Sequence, residues 1–178
     1  MNRYKDTEIQ FSGLKSGSYN YHYTLKKDFF ESMENEILTD GMVDFEVKLE
    51  KTERTLMFYF TFSGQVQTQC DRCLGDLSIE VSGNETLCVK FSDTEVSDDE
   101  DVVYLPEKAY SINLAPWMYE YVVVAMPMQC VHPDDEEGNP TCDPEMLKYL
   151  VDEDEAQSEE DEPINDPRWD ILKEINNN

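Results

Sequence analysis

The sequence predicts an α+β fold built mainly on an antiparallel β-sheet, with a few short helices and a C-x-x-C knuckle. Apolar and polar residues alternate in several runs, most clearly over 43–50, as in strands with one solvated face. Short polar connections join these runs, as in β-hairpins. Cys70 and Cys73 stand two residues apart between two alternating runs. The pattern leaves open whether the sheet closes into a barrel.

The N-terminal residues predict two strands and a helix. Residues 8–11 form a short strand, and 19–25 alternate so that His22 lies on the polar face, where a ligand role is not expected. A short helix is expected over 28–38, with Ile37 on its apolar side and Gly41 ending it.

The clearest hairpin joins residues 43–50 to residues 56–62 through the polar loop 51–54. The returning strand is apolar on both faces, which predicts a central place in the sheet. Ser63-Gly64 then permits a bend before the cysteine knuckle.

Strands resume after the knuckle. Residues 77–81 and 87–91 alternate, and Gly83-Asn84 between them predicts a turn or bulge. Cys88 shares a face with polar neighbours and is interpreted as an ordinary strand residue. An acidic loop over 92–101 precedes a short strand over 102–105.

Two helices are predicted in the C-terminal half. One starts near Leu114, capped by Asn113 or Ser111, and ends by Pro127, although its valine run favours a strand. A short one spans 144–150 after a capping Asp143. We expect one domain over 1–150, an acidic linker over 151–165, and a short Trp169-containing helix over 166–178. That last helix either docks on the domain or binds a partner.

Composition narrows the class of protein. Forty Asp and Glu against fourteen Lys and Arg give a formal net charge of −26, concentrated in blocks such as 98–101, 134–137 and 152–162. No export signal is seen at the start, and the longest apolar run, 121–128, is far short of the ~20 residues that span a bilayer. We expect a cytoplasmic protein, in which five cysteines favour metal binding over disulfides.

Cysteines and one histidine supply a candidate metal site with the spacing C-x2-C-x56-C-x-H-x9-C. Zinc prefers four tetrahedral thiolate or imidazole ligands. Cys70, Cys73 and Cys142 supply three. The fourth is His132 or Cys130, whose side chains face the same way in an extended chain, and we favour His132. Four protein ligands would make the site structural and closed.

Enzyme and nucleic-acid signatures are weak. A thiol-disulfide enzyme using Cys70 and Cys73 would need a helix after the motif, whereas strand-like alternation continues. No phosphate loop or nucleophile elbow is present. The cations are scattered rather than arranged in a stripe. Arg72 alone is placed to contact RNA, and pairing with a nearby acid is the simpler interpretation.

The chain resembles the YceD family, the large ribosomal RNA subunit accumulation proteins. The resemblance covers nearly the whole chain, with the first 40 residues weakest, and Cys130 is an addition that keeps the fourth ligand open. The residues that carry the resemblance are Cys70-Asp71-Arg72-Cys73 (the family's C-x-R-C), Ile112–Leu114, Ala125–Pro127, Val131-His132, Cys142 and the closing Asp166–Leu172.

The resemblance implies a cytoplasmic bacterial factor needed for large-subunit ribosomal RNA to be processed or to accumulate, with no catalytic residues. Because a charge of −26 repels naked RNA, we expect the partner to be a basic protein, such as a large-subunit ribosomal protein. Direct binding of ribosomal RNA or its precursor is the alternative, and a thiol-disulfide enzyme is a weaker one.

Overall fold

The computed structural model describes residues 7–33, 37–92 and 102–149. The described strands and helices are β1 (Glu8–Gln10), β2 (Gly17–Leu25), α1 (Lys27–Ser32), β3 (Asp40–Lys51), β4 (Thr55–Gln69), β5 (Asp76–Phe91), β6 (Val102–Leu105), β7 (Ser111–Asn113), α2 (Ala115–Ala125) and α3 (Pro144–Leu147).

The main sheet has five strands in the order β2-β3-β4-β5-β6. The first four form an antiparallel meander, and β6 runs parallel to β5. Among the described residues, β2 and β6 each pair on one side only, so this sheet is open. A second, two-stranded sheet pairs β1 with β7. The predicted α+β class with a mainly antiparallel sheet and few short helices is confirmed.

The pairing of β4 with β5 is regular over its whole length, from Thr55 opposite Lys90 to Gln69 opposite Asp76. The predicted turn or bulge at Gly83-Asn84 is therefore wrong. Gly83 lies opposite Phe62, and a Cβ added there would come within 2.7 Å of the Phe62 ring. The glycine makes room for an aromatic ring rather than for a turn.

One face of the main sheet forms the core. Alternate residues of β3 and β4 are buried, and α2 covers this face, with the Tyr121 ring 5.1 Å from that of Phe60. The predicted central place of β4 is confirmed. Its second face is not covered in the described part of the chain, because Tyr59 there is 39% exposed.

The helices follow the prediction with shorter bounds. Helix α1 spans Lys27–Ser32, and Ile37 is 52% exposed, so its predicted place on the apolar side is wrong. Gly41 lies inside β3. At the start of α2, the amide of Ala115 donates to Asn113 Oδ1 at 3.1 Å. Helix α3 starts at Pro144, where the Asp143 side chain accepts from the Glu145 amide.

None of the helices in the described residues has the length and apolar character needed to cross a bilayer. The predicted acidic linker, 151–165, and the predicted helix, 166–178, lie outside the described residues, as does most of the acidic loop 92–101.

Candidate metal centre

The C-x-x-C motif forms the loop between the two longest strands of the sheet. The amide of Cys70 donates to the Gly75 carbonyl at 2.8 Å, and the amide of Leu74 donates to the Cys70 carbonyl at 2.8 Å. Leu74 adopts the left-handed conformation, with φ of 57°, which helps the chain to reverse. The Arg72 amide lies 3.4 Å from the Cys70 sulfur and donates to it. The sheet thus holds this loop at both ends.

A small hairpin explains the nine-residue spacing between His132 and Cys142. The Thr141 hydroxyl donates to the Pro133 carbonyl at 2.6 Å, and Asp134 forms a β-bridge with Pro140. These bonds close the loop on itself, so that the residues flanking it, His132 and Cys142, lie side by side.

Two hydrogen bonds join the loop of the first two cysteines to the segment that leads into His132. The amide of Asp71 donates to the Cys130 carbonyl at 2.7 Å, and the amide of Cys130 donates to Asp71 Oδ2 at 2.6 Å. Cys130 is fixed in this way 59 residues downstream of Asp71.

The structure brings Cys70, Cys73, His132 and Cys142 together. One ligand atom from each lies within 4.8 Å of every other, so the group could hold a metal ion. The Cys70 and Cys142 sulfurs are 3.7 Å apart, and His132 Nδ1 lies 3.4 Å from the Cys73 sulfur and 3.7 Å from that of Cys142. Tetrahedral zinc, with bonds of about 2.3 Å to sulfur and about 2.0 Å to nitrogen, separates its ligand atoms by about 3.5–3.8 Å. The donor set and its spacing fit such an ion.

The orientation of the histidine ring is set by the backbone of β5. Nε2 of His132 lies 3.1 Å from the Asp76 carbonyl oxygen. A carbonyl can only accept, so Nε2 carries a proton and donates it to this oxygen, and Nδ1 is the ring nitrogen that faces the sulfurs. Metal-bound histidines are commonly oriented by such a contact at the other ring nitrogen.

Backbone amides favour the thiolate form of both cysteines in the loop. Burial alone raises the pKa of Cys70, but hydrogen bonds from neighbouring backbone groups outweigh it and lower that pKa to about 6; the groups belong to Arg72, Cys73 and His132. The backbone groups of Asp143 and Gly75 lower the pKa of the Cys73 thiol. Thiolates are the form that binds metal.

The pKa values of the other two groups in the cluster are raised rather than lowered. The hydrogen bond to Asp76 raises the pKa of His132, and burial raises the pKa of the Cys142 thiol. Sulfurs this close repel one another when they are ionised. A bound cation would offset this repulsion and so favour the thiolate forms.

The other candidate residues lie outside the four-atom group. The Cys130 sulfur lies 3.6 Å from the Pro127 carbonyl, and burial raises the pKa of its thiol. Cys88 lies in β5, and His22 is exposed on β2. Arg72 has Asp134 within 3.7 Å, in line with the simpler interpretation of that residue.

Apolar side chains enclose the group. Cys70, Cys73 and Cys142 are each at most 5% exposed. The residues that pack against the cysteines are Leu77, Ile79, Met126, Val131, Met146 and Leu147. Nothing in the sequence points to the roles of Asp71 and of the Asp76 carbonyl, because an exposed carboxylate in an acidic chain carries no signal and a backbone carbonyl is common to every residue type.

A comparison with models of protein families shows which family this chain is related to. The model of the large ribosomal RNA subunit accumulation protein YceD matches residues 58–176. The chain belongs to the YceD family.

The YceD match includes all four residues of the cluster, most of β4, all of β5, and the chain onward as far as residue 176. It begins inside β4, so that β1, β2 and β3 lie outside it. Neither the curated proteins nor the solved structures that were compared give a match. The family description points to a role in the accumulation of large-subunit ribosomal RNA.

Proposed function

We propose that this protein is a non-enzymatic accessory factor in ribosome biogenesis, needed for large-subunit ribosomal RNA to accumulate or to be processed. Membership of the YceD family supports the process, and four Cys and His ligand atoms within 4.8 Å of one another support a structural site within it. The protein acts in the cytoplasm, where ribosomes assemble.

The metal is zinc, held by Cys70, Cys73, His132 and Cys142, with His132 rather than Cys130 as the fourth ligand. Three thiolates and one imidazole form a donor set typical of structural zinc. Such an ion would join the loop after β4 to the segment after α2, and so fix the 130–147 region on the end of the sheet.

A scaffold rather than an enzyme is the function that this site favours. Four protein ligands would occupy all four coordination positions of a tetrahedral zinc ion, which leaves no position for water or substrate. The buried, enclosed sulfurs are consistent with that role. Cys70 and Cys73 would serve as ligands and not as a redox pair.

The partner is a basic protein, such as one from the large ribosomal subunit. A net charge of −26 attracts cations over distances near the Debye length of about 8 Å and repels naked RNA. The acidic blocks, above all 152–162, and the Trp169 segment would capture that protein.

Metal analysis and complementation test the proposal together. Purified protein should contain one zinc per chain. Cells that lack the gene should contain less large-subunit than small-subunit ribosomal RNA, and the wild-type gene should restore the ratio. A gene carrying His132→Ala and Cys142→Ser should not restore it, whereas Cys88→Ser, a cysteine outside the cluster, should.

A pull-down tests the partner separately. Full-length protein and a chain that lacks residues 152–178 are compared as bait, at low and at physiological salt. We expect the truncated chain to lose basic large-subunit proteins. If it keeps every partner, the acidic C-terminal segment is not the site of capture.

Direct RNA binding remains the second candidate, favoured by cations at the end of the sheet remote from the metal centre. At this end of the sheet, Lys51 of β3 lies opposite Gly17 of β2. Lys90 of β5 lies opposite Thr55 of β4, the residue after Arg54. A gel shift with ribosomal RNA at about 0.15 M salt, weakened by Arg54→Ala or by Arg72→Ala, would favour it over a protein partner.

A further inference from the structure

Asp71 makes a reciprocal contact that neither the zinc ligands nor the family match accounts for. Its backbone amide donates to the carbonyl of Cys130, and its carboxylate accepts from the amide of the same residue. The two bonds are 2.7 and 2.6 Å long, within the range of good hydrogen bonds. The second is charge-assisted, which roughly doubles its strength over a neutral bond.

This pairing fixes the segment in which the two candidate fourth ligands lie. With its backbone held by Asp71, Cys130 directs its sulfur toward the Pro127 carbonyl, 3.6 Å away. Two residues later, His132 presents Nδ1 to the sulfurs of Cys73 and Cys142.

We infer that Asp71 is a positioning residue of the metal centre: its pairing with Cys130 sets the register of 130–132, so that His132 and not Cys130 becomes the fourth ligand. The inference rests on the proposed zinc site. It goes beyond that proposal because it assigns a role to a carboxylate that touches no ligand atom.

The pairing also needs no metal. Both bonds join protein groups, and the His132 contact with the Asp76 carbonyl does the same. The ligands are thus held near their bound positions before zinc arrives, which lowers the entropy cost of ordering them on binding. Loss of an outer contact of this kind typically weakens metal affinity by about 10- to 100-fold.

The experiment measures zinc affinity by competition with a chromophoric chelator in four full-length proteins: wild type, Asp71→Ala, Asp71→Asn and Asp44→Asn. Asp71→Ala removes the acceptor, and we expect an affinity about 10- to 100-fold weaker. Asp71→Asn keeps an oxygen that accepts from Cys130 and should recover most of that loss. Asp44→Asn is the matched control, since the Asp44 carboxylate lies on β3 and accepts from the Thr24 hydroxyl, away from the metal centre. It should bind like wild type.

Cobalt(II) gives a readout that a merely structural role would not change. In Asp71→Ala, freeing Cys130 should raise the intensity of the thiolate-to-cobalt absorption, as a fourth sulfur replaces the imidazole. Adding Cys130→Ser to Asp71→Ala should abolish the increase. Unchanged zinc affinity and an unchanged cobalt spectrum in Asp71→Ala would overturn the inference while leaving the zinc site intact. A wild-type protein that binds neither ion would instead refute the proposed site.

Hydrogen exchange on wild type keeps the inference testable if Asp71→Ala does not fold. The Cys130 amide should stay protected after zinc is removed by a chelator, because Asp71 accepts its proton. Rapid exchange of that amide both with and without zinc would contradict the pairing.

Discussion

The carbonyl oxygen of Asp76 lies 3.1 Å from Nε2 of His132, and this contact determines which ring nitrogen faces the sulfurs. Asp76 is the first residue of β5 and pairs with Gln69, the last residue of β4. The same strand pair carries the Cys70 loop. The regular pairing of two long strands therefore places two thiols and orients an imidazole that comes from 56 residues away.

Substitution of single ligands should separate the four cluster residues from the other cysteines. Cys70→Ser, Cys73→Ser, His132→Ala and Cys142→Ser should each lose stoichiometric zinc, because three ligands hold the ion far more weakly. Elemental analysis of the purified proteins measures this loss.

Two cysteine variants are the matched controls for the ligand substitutions. Cys130→Ser and Cys88→Ser should keep the metal, since their sulfurs lie outside the four-atom group. Zinc loss in Cys130→Ser together with zinc retention in His132→Ala would reverse the assignment of the fourth ligand.

Removal of zinc should loosen one end of the molecule and leave the main core folded. The cysteines and their apolar neighbours form a cluster apart from the sheet core, which has its own buried aromatic side chains. Chelation should therefore speed amide exchange over 131–147, with little change in β3, in β4 and at the Cys130 amide, which Asp71 holds without metal. Equal loss of protection in both regions would contradict this separation.

Much of the architecture could be predicted from local sequence patterns, because the conformation of these residues follows from their own types and those of their near neighbours. Alternation located the long strands of the meander, and Asp143-Pro144 located the start of α3. Cysteine and histidine chemistry selected the four residues that lie together. Each of these signals depends on residue type and short-range spacing alone.

What could not be predicted depends on partners that are distant in sequence. Gly83 was interpreted as a turn, because nothing local shows that Phe62 would lie across from it. The exposure of Tyr59 could not be predicted, because sequence does not show that one face of the sheet lies open. Asp71 gained its role only when the fold brought Cys130 to it.

Glycines inside the paired strands should not tolerate a side chain. In Gly83→Ala the new Cβ would lie 2.7 Å from the Phe62 ring, and in Gly64→Ala it would lie 2.6 Å from the Val43 Cα and closer still to the Met42 carbonyl oxygen. Overpacking of this kind costs about 1–3 kcal/mol, and Gly64→Ala should be the worse because a backbone cannot move aside easily.

Urea unfolding measures the free energy of these variants, with Gly13→Ala as the control. A Cβ at Gly13 would meet nothing within 4 Å, so its unfolding free energy should change by less than about 0.5 kcal/mol. A Gly64→Ala protein as stable as Gly13→Ala would refute the close approach of β3 and β4.

Neighbouring residues on β4 should differ sharply in their effect on stability. Phe60 is 1% exposed and packs against Tyr121, so Phe60→Ala should lower the unfolding free energy by about 3–5 kcal/mol. Tyr59 faces the open side, where the Lys48 ammonium lies 5.8 Å from its ring centroid, so Tyr59→Ala should cost less than about 1 kcal/mol. Comparable losses in chemical denaturation would mean that the second face is also covered.

Two half-buried tyrosines should make the fold sensitive to alkali. Burial, followed by the charges of Glu85 and Glu120, raises the pKa of Tyr121 from its ordinary value of 10.0 to about 12, and burial raises the pKa of Tyr23 to about 12 as well. Both phenols are neutral in the folded and unfolded chains below pH 10. Between pH 10 and 12 the unfolded chain ionises first, so stability is full below pH 10 and falls as pH rises toward 12. Ultraviolet difference absorbance should show tyrosines, Tyr121 and Tyr23 among them, that ionise late in the folded protein. Urea unfolding of Tyr121→Phe and Tyr23→Phe should show a shallower decline over this range than wild type. An identical decline in all three proteins would mean that these phenols keep ordinary pKa values.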